Sequence, residues 1–260
     1  MDSKSIHFSC TQCGKCCHDL RLPLSLDEAE IWLKDNGGIE IFVEAIPWPS
    51  EPPNDNLQAA HRRGRSFPAK CGDLPIRVIA TLVASFNGPC PNLLDDMRCG
   101  AYEKRPGVCR IYPAEVNPSL ELVPSTKSCP PEAWTNEKPV YVSGGRLMDV
   151  VTVELIKQAR QADIVDAFRK DDICSTLGLR HCALANEGFS VFKVDREIAL
   201  YALEKSRNRE ADGIGASEWT FVSNQRKSVD TLNSIEARCI FAAGDSEGVH
   251  GYFGFHVAAP

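Results

Sequence analysis

The chain has 260 residues, 43% of them hydrophobic and 25% charged, with a net charge of −6. Such a composition supplies a real apolar core, and the length admits one large domain or two small ones. The acidic balance argues against nucleic acid as a partner, because nucleic-acid binders carry a basic excess or stripe.

Along the chain, Ser25-x-x-Glu28 forms a capping box and Gly37-Gly38 a stop, which predicts a helix over 25–36. Ile39 to Ile46 alternates enough for a short strand. Residues 47–72 hold five prolines and many polar residues, the signature of a long loop. Its basic run, His61-Arg62-Arg63-Gly64-Arg65, reads as a solvated face, with a local anion contact as the alternative. Ile76 to Phe86 is rich in Val, Ile, Thr and Leu and fits strand or helix. From 88 to 135, Gly88-Pro89, Arg105-Pro106-Gly107 and Pro130-Pro131 punctuate a region of turns and short extended pieces.

The rest is more regular. Leu147, Val150, Val151, Leu155, Ile156, Ala159, Ile164, Val165 and Phe168 recur at helical spacing over 146–169. Asp195 is placed to N-cap a helix running to Arg207, and Ser228 to Ala242 is a third helical candidate. No repeat is apparent. Gly213-x-Gly215 reads as a flexible loop and not as a nucleotide-binding turn.

The cysteines organise the chain. There are twelve, and nine fall at or before Cys129. This composition shift divides a Cys-rich part, about 1–135, from a Cys-poor part, about 136–260. The N-terminus carries no apolar targeting segment, and the longest apolar stretches are broken by Glu44 or Arg77. The expectation is a cytoplasmic protein that makes no membrane contact. In a reducing compartment clustered cysteines hold metal more often than they pair.

Cys10-x2-Cys13-x2-Cys16-Cys17 is the densest group. Two thiolates separated by two residues converge on one metal, the logic of zinc knuckles, and a third at the same spacing is the ferredoxin-type pattern. Gly14 sits inside the turn, where a side chain would crowd the amides. Cys17 is the odd member. Adjacent side chains rarely reach one tetrahedral ion together, so Cys17 implies a second site or a polynuclear one. Partners must come from Cys90, Cys99, Cys109 and Cys129, which bring the count to eight thiols, enough for two four-cysteine sites. Cys90 and Cys129 are each followed by proline, as remote ferredoxin ligands commonly are.

The segment Phe8-Ser9-Cys10-Thr11-Gln12-Cys13-Gly14-Lys15-Cys16-Cys17 resembles the opening motif of the YkgJ family, the "CxxCxxCC" zinc- or iron-chelating domain. Cys90-Pro91-Asn92-Leu93, followed by Cys99-Gly100-Ala101-Tyr102-Glu103-Lys104-Arg105-Pro106-Gly107-Val108-Cys109-Arg110-Ile111-Tyr112-Pro113, resembles its second signature in order and spacing. The resemblance covers about 8–130 and implies eight metal ligands: Cys10, Cys13, Cys16, Cys17, Cys90, Cys99, Cys109 and Cys129. Cys71 lies outside the matched positions and counts as a spare thiol.

All-thiolate sites suit zinc, closed and structural, and iron, including an iron–sulfur cluster open to redox chemistry. Both remain open at this point. Arg105, Arg110 and Tyr112 adjoin ligand cysteines and are candidates to offset the charge of a thiolate site; salt bridges to Glu103 or Glu115 are the alternative for Arg105. His18 is a minor ligand candidate, His7 a surface residue, and His250 and His256 belong to tail packing. Cys182 beside His181 is the one sequence-adjacent thiol–base pair, and adjacency alone does not make a dyad.

The expected fold is α+β: an irregular, metal-stabilised Cys-rich module with short strands, packed against a mainly helical C-terminal half of unknown role. The expected function is metal binding, with a structural or redox role. Two alternatives are an iron-dependent protein-modifying enzyme, since a related domain occurs in flagellin lysine methylases, and a zinc-stabilised protein-interaction module. Expected partners are metal ions and a protein partner or protein substrate.

Overall fold

The computed structural model describes residues 5–35, 37–208, 217–242 and 250–258. Gly213-x-Gly215 lies outside the described residues. In chain order the elements begin β1 (Ile6–His7), β2 (Arg21–Leu24), α1 (Leu26–Lys34), β3 (Ile39–Pro47), α2 (Leu57–Gly64), β4 (Phe67–Cys71) and β5 (Leu74–Ser85). Next come α3 (Gly107–Ile111), β6 (Val140–Ser143), β7 (Arg146–Leu147) and α4 (Val150–Thr176). The chain continues with β8 (His181–Leu184), β9 (Gly188–Lys193), α5 (Arg196–Arg207) and β10 (Ser217–Glu218). It finishes with β11 (Thr220–Ser223), α6 (Arg226–Ser234), β12 (Cys239–Phe241) and β13 (His250–Gly254). The fold is α+β, and the three helices α4, α5 and α6 lie in the C-terminal half.

Two compact units form, each from two stretches of chain. One joins residues 1–24 to 85–162; the other joins 25–84 to 163–260. These boundaries follow contacts, whereas a division near 135 follows the end of the cysteine-rich sequence. The chain leaves the first unit after Leu24, builds a sheet, and returns at Ser85.

In the sheet-containing unit, β3 shows an alternating burial pattern and pairs antiparallel with β5 from Ile39↔Ala84 to Pro47↔Ile76. β5 is buried at most positions on both faces, as expected of an internal strand. The apolar run 76–86 is therefore strand. Short parallel strands β8, β11 and β12 extend the sheet, with β8 beside β3. β9 pairs antiparallel with β3, and β13 with β9. Helix α1 carries its predicted capping box, Ser25 with Glu28, and packs Ala29 and Leu33 toward α5, whose buried face is Ala199, Ala202 and Leu203. Small residues there let the two backbones approach. Asp195 caps α5 as expected, accepting from the Glu197 and Ile198 amides.

Two expectations change. The stretch 47–72 is not one loop: α2 and β4 lie within it. Helix α2 buries no residue, so it leaves no apolar periodicity to detect. The third helix ends at Ser234, where Glu236 takes a left-handed φ of 62° and the chain turns into β12. Parallel pairing with β11, a non-local interaction, decides that outcome.

The cysteine-rich unit is held by little regular structure. β1, β6 and β7 form a small antiparallel sheet. Phe8, Ala133 and Tyr141 form a compact core, with Leu122, Cys129, Trp134 and Leu147 packed on it. The Phe8 ring lies 4.7 Å from Trp134 and 5.1 Å from Tyr141 between centroids. Burying such aromatics contributes on the order of 2–3 kcal/mol each. No helix among the described residues is long and apolar enough to cross a membrane.

Candidate metal centre

All eight predicted cysteines belong to the cysteine-rich unit, and all are free thiols. The core just described gathers the first of them. Strand β1 pairs with β6, the Phe8 amide donates to the Pro139 carbonyl at 3.1 Å, and Ser9 donates to Ala133 at 3.0 Å. Anchored this way, the chain enters the Cys10–Cys17 turn beside residues 129–134. Cys129 packs against the same core, and its carbonyl accepts from Trp134 Nε1 at 3.3 Å.

The turn itself is strained. Gln12 and Asp19 take positive φ angles of 54° and 50°, and Gly14 takes 69°. A side chain at Gly14 would stand 2.5 Å from the Met97 carbonyl oxygen, so only glycine fits. The Gln12 amide points at the Cys10 sulfur, 3.4 Å away, the kind of contact that stabilises a thiolate in a knuckle. The Cys17 amide donates to Gly14 at 2.9 Å.

A second ladder brings in the later cysteines. The Cys90 amide donates to the Cys17 carbonyl at 2.8 Å, and Asp19 and Gly88 exchange hydrogen bonds beside it. His18 bridges to Pro89, and Leu93 to Cys99. The 93–99 hairpin closes through Leu94 to Arg98 at 2.9 Å, with Met97 at a φ of 67°. Cys109 sits within α3, one turn after the Pro106 carbonyl that accepts its amide.

The thiols raise one another through burial and mutual charge. Burial first, then the Cys10 and Cys13 thiols, push the Cys16 thiol up. Cys129 is pushed up to about 11, by burial and then by Cys16, Cys10 and Cys13. Cys17 is pushed up to about 12, by burial and then by Cys16, Cys90 and Cys99. Cys109 is pushed up to about 12, by burial and then by Cys90 and Cys16, with Cys99 adding less; Arg105 works against the rise. Cys90 rises through burial and, more weakly, through Cys99. Cys16 acts on Cys17, Cys109 and Cys129 alike, so vicinal Cys16 and Cys17 link the early cysteines to the later ones.

Cys16, Cys17, Cys90, Cys109 and Cys129 resist ionising because each faces burial and other sulfurs. A cation reverses both effects, so the donor set fits a thiophilic metal. The sulfurs are gathered without being closed: among the described residues, no three His, Cys, Asp or Glu side chains stand at metal-holding geometry.

Residues 9–130 match the family model described as "CxxCxxCC: Putative zinc- or iron-chelating domain". No curated protein and no solved structure matched the chain. The CxxCxxCC match begins at Ser9 and ends at Pro130, so it takes in all eight thiols.

The neighbours of the thiols divide. Arg105 donates to the Tyr102 carbonyl at 2.9 Å and lies 3.8 Å over the Tyr102 ring, where its charge favours the Cys109 thiolate. Arg110 is exposed. The Tyr112 hydroxyl accepts from the Ser128 amide at 2.8 Å, beside Cys129, and its effect on that thiol is to lower it against the rise from burial. Glu115 pairs with Lys127, whose ammonium lies 5.6 Å over the Tyr112 ring. Sequence reasoning missed Lys127, Ser128 and the Gln12 amide; their only signal was adjacency to Cys129 or a place inside the knuckle.

Other candidates lie elsewhere. His18 is half-buried in its bridge to Pro89. His7 is half-buried, with Nδ1 2.7 Å from the Lys138 carbonyl oxygen. His256 is exposed, and its carbonyl accepts from Asn224. Cys71, Cys174, Cys182 and Cys239 are buried in the other unit. Cys71 donates to the Arg238 carbonyl at 3.2 Å and Cys182 to Thr220 at 3.7 Å, so both serve packing.

Proposed function

We propose that the CxxCxxCC domain holds zinc or iron on its eight cysteines, divided as two four-thiolate sites that meet at Cys16–Cys17. The carrying observation is geometric: all eight cysteines lie in one unit within the matched segment, Cys129 packs on the core to which the chain entering Cys10 is bonded, and the Cys90 amide donates to the Cys17 carbonyl. Four thiolates complete the tetrahedral shell of a structural zinc ion and equally the ligand set of a four-iron cluster. Each quartet also contains one cysteine followed by proline, Cys129-Pro130 and Cys90-Pro91.

The protein's part is positioning and charge balance. Gly14 allows the knuckle to turn, the Gln12 amide donates toward Cys10, Arg105 favours the Cys109 thiolate, and Tyr112 holds the Ser128 amide beside Cys129. A bound zinc supplies structural cross-linking; bound iron supplies one-electron chemistry. The role is structural or redox accordingly, in a cytoplasmic setting with thiols kept reduced.

The test is elemental analysis of protein purified without oxygen, together with its visible spectrum. About two zincs per colourless chain, or iron with sulfide and absorption near ~400 nm, supports the reading. Folded protein with no bound metal contradicts it.

A further inference from the structure

One edge of the large sheet is open among the described residues. Strand β13 pairs with β9 and, among those residues, with no other strand. The Phe255 amide donates to the Glu187 carbonyl at 2.8 Å, one step beyond the Gly254↔Gly188 pair. Hydrogen-bonded and non-hydrogen-bonded pairs alternate along antiparallel strands. Gly251, Phe253 and Phe255 therefore turn their amides and carbonyls toward β9, and Tyr252 and Gly254 turn theirs away from it. Neither Tyr252 nor Gly254 makes a further backbone hydrogen bond among the described residues.

The same strand carries an uncovered aromatic face. Phe253 is 56% exposed and Phe255 46%, with ring centroids 6.1 Å apart. Phe255 lies 5.2 Å from Phe189, and Phe189 lies 5.3 Å from Phe42, so four rings form one continuous strip. Tyr252, on the opposite face, is buried with Ala183 and Val222. Native sheet edges are commonly shielded by charged side chains or proline. Residues 250–256 contain no Lys, Arg, Asp, Glu or Pro.

We infer that β13 is an interface between two copies of this chain, which pair as antiparallel neighbours about a two-fold axis at Phe253. The register follows from the open edge. With the axis there, Tyr252 of one copy and Gly254 of the other exchange the amides and carbonyls that face away from β9, and symmetry forms this pair twice. Phe253 meets its own copy in a non-hydrogen-bonded pair, where side chains stand closest. Phe255 comes opposite Gly251, where the missing side chain leaves room for the ring. Two features select a second copy as the occupant: ring and glycine are complementary across the axis, and a strand without charged residues meets itself without repulsion. The strand has five residues, so the interface is small and the association is reversible at micromolar concentrations.

Sedimentation equilibrium of the full chain from roughly 1 to 200 μM tests this, with a phosphine reductant present so that no intermolecular disulfide contributes. The mass is expected to rise from one chain, 28.6 kDa, toward two. Phe253→Asp sets two carboxylates opposite each other at the axis and is expected to weaken association at least roughly tenfold. Phe255→Asp has the same effect and replaces it if circular dichroism shows the first variant unfolded. Val257→Asp, at a 90% exposed position beyond the strand, leaves the association unchanged. On the parent chain, the Tyr252 and Gly254 amides exchange with solvent more slowly as concentration rises, read by NMR. A chain that stays monomeric at about 200 μM overturns the inference. So does a dimer that the Asp variants leave intact, because it uses another surface.

Discussion

The Tyr112 hydroxyl accepts a 2.8 Å hydrogen bond from the amide of Ser128, the residue next to Cys129. One phenol therefore fixes the approach of a remote cysteine to a cluster that begins over a hundred residues earlier. Groups that orient a metal ligand typically change affinity by about 10–100-fold when removed. Tyr112→Phe is expected to weaken zinc binding by about tenfold in chelator competition, with the fold intact by circular dichroism. Unchanged affinity would show that Tyr112 only packs.

Gly14 meets the Met97 carbonyl so closely that an added methyl would stand 2.5 Å from it, at a φ of 69°. Gly14→Ala must move either the knuckle or the 93–99 hairpin. The expected cost is about 1–3 kcal/mol in chemical denaturation, accompanied by lower metal content. Full stability with full metal content would contradict the close approach.

In the sheet-containing unit, the buried carboxylate of Asp166 accepts the Leu26 amide at 3.0 Å, at the start of α1. Asp166→Ala leaves that buried amide without its acceptor, at a cost of about 1–3 kcal/mol. Asp166→Asn retains an acceptor and is expected to lose less. Equal losses for the two variants, measured by urea midpoints, would mean that the hydrogen bond is not what matters.

Glu44 is half-buried on β3, and burial pushes its carboxyl above the ordinary 4.5, with Arg65 and Arg62 pulling less strongly the other way. A raised carboxyl binds its proton more tightly folded than unfolded. Its contribution is therefore most favourable at acid pH and is lost as pH rises through and above the ordinary carboxylate range. Glu44→Gln should be more stable than the parent at neutral pH, with the gap closing toward pH ~4. A gap that widens on acidification would reverse the sign.

Local signals were legible where the chemistry is local. Ser25 with Glu28 and Asp195 announce their helices because a cap is a contact between near neighbours. Residues 57–71 gave no such signal. Helix α2 has no buried face, and β4 contains Pro68 and depends on its pairing with β5. The same holds for β12, where Cys239 to Phe241 continue an apolar pattern that only β11 turns into strand.

The candidate site shows the same division. Cysteine spacing picks out eight thiols and makes Cys17 the informative one. It does not say that Cys129 packs on the core beside the Cys10 turn, or that Cys90 bonds to Cys17. Those placements depend on the Phe8–Trp134–Tyr141 core on one side and the Cys17–Cys90 ladder on the other. Arg105 and Arg110 look alike in sequence, but Arg105 is half-buried against Tyr102, where its charge acts on Cys109, whereas Arg110 is exposed.

The most direct test removes one cysteine from each quartet and weighs what stays bound. Native mass spectrometry of zinc-loaded Cys129→Ser and Cys109→Ser should show each variant losing one of about two zincs, and the double variant losing both. Either single variant losing all of its metal, or neither losing any, would contradict two quartets meeting at Cys16 and Cys17.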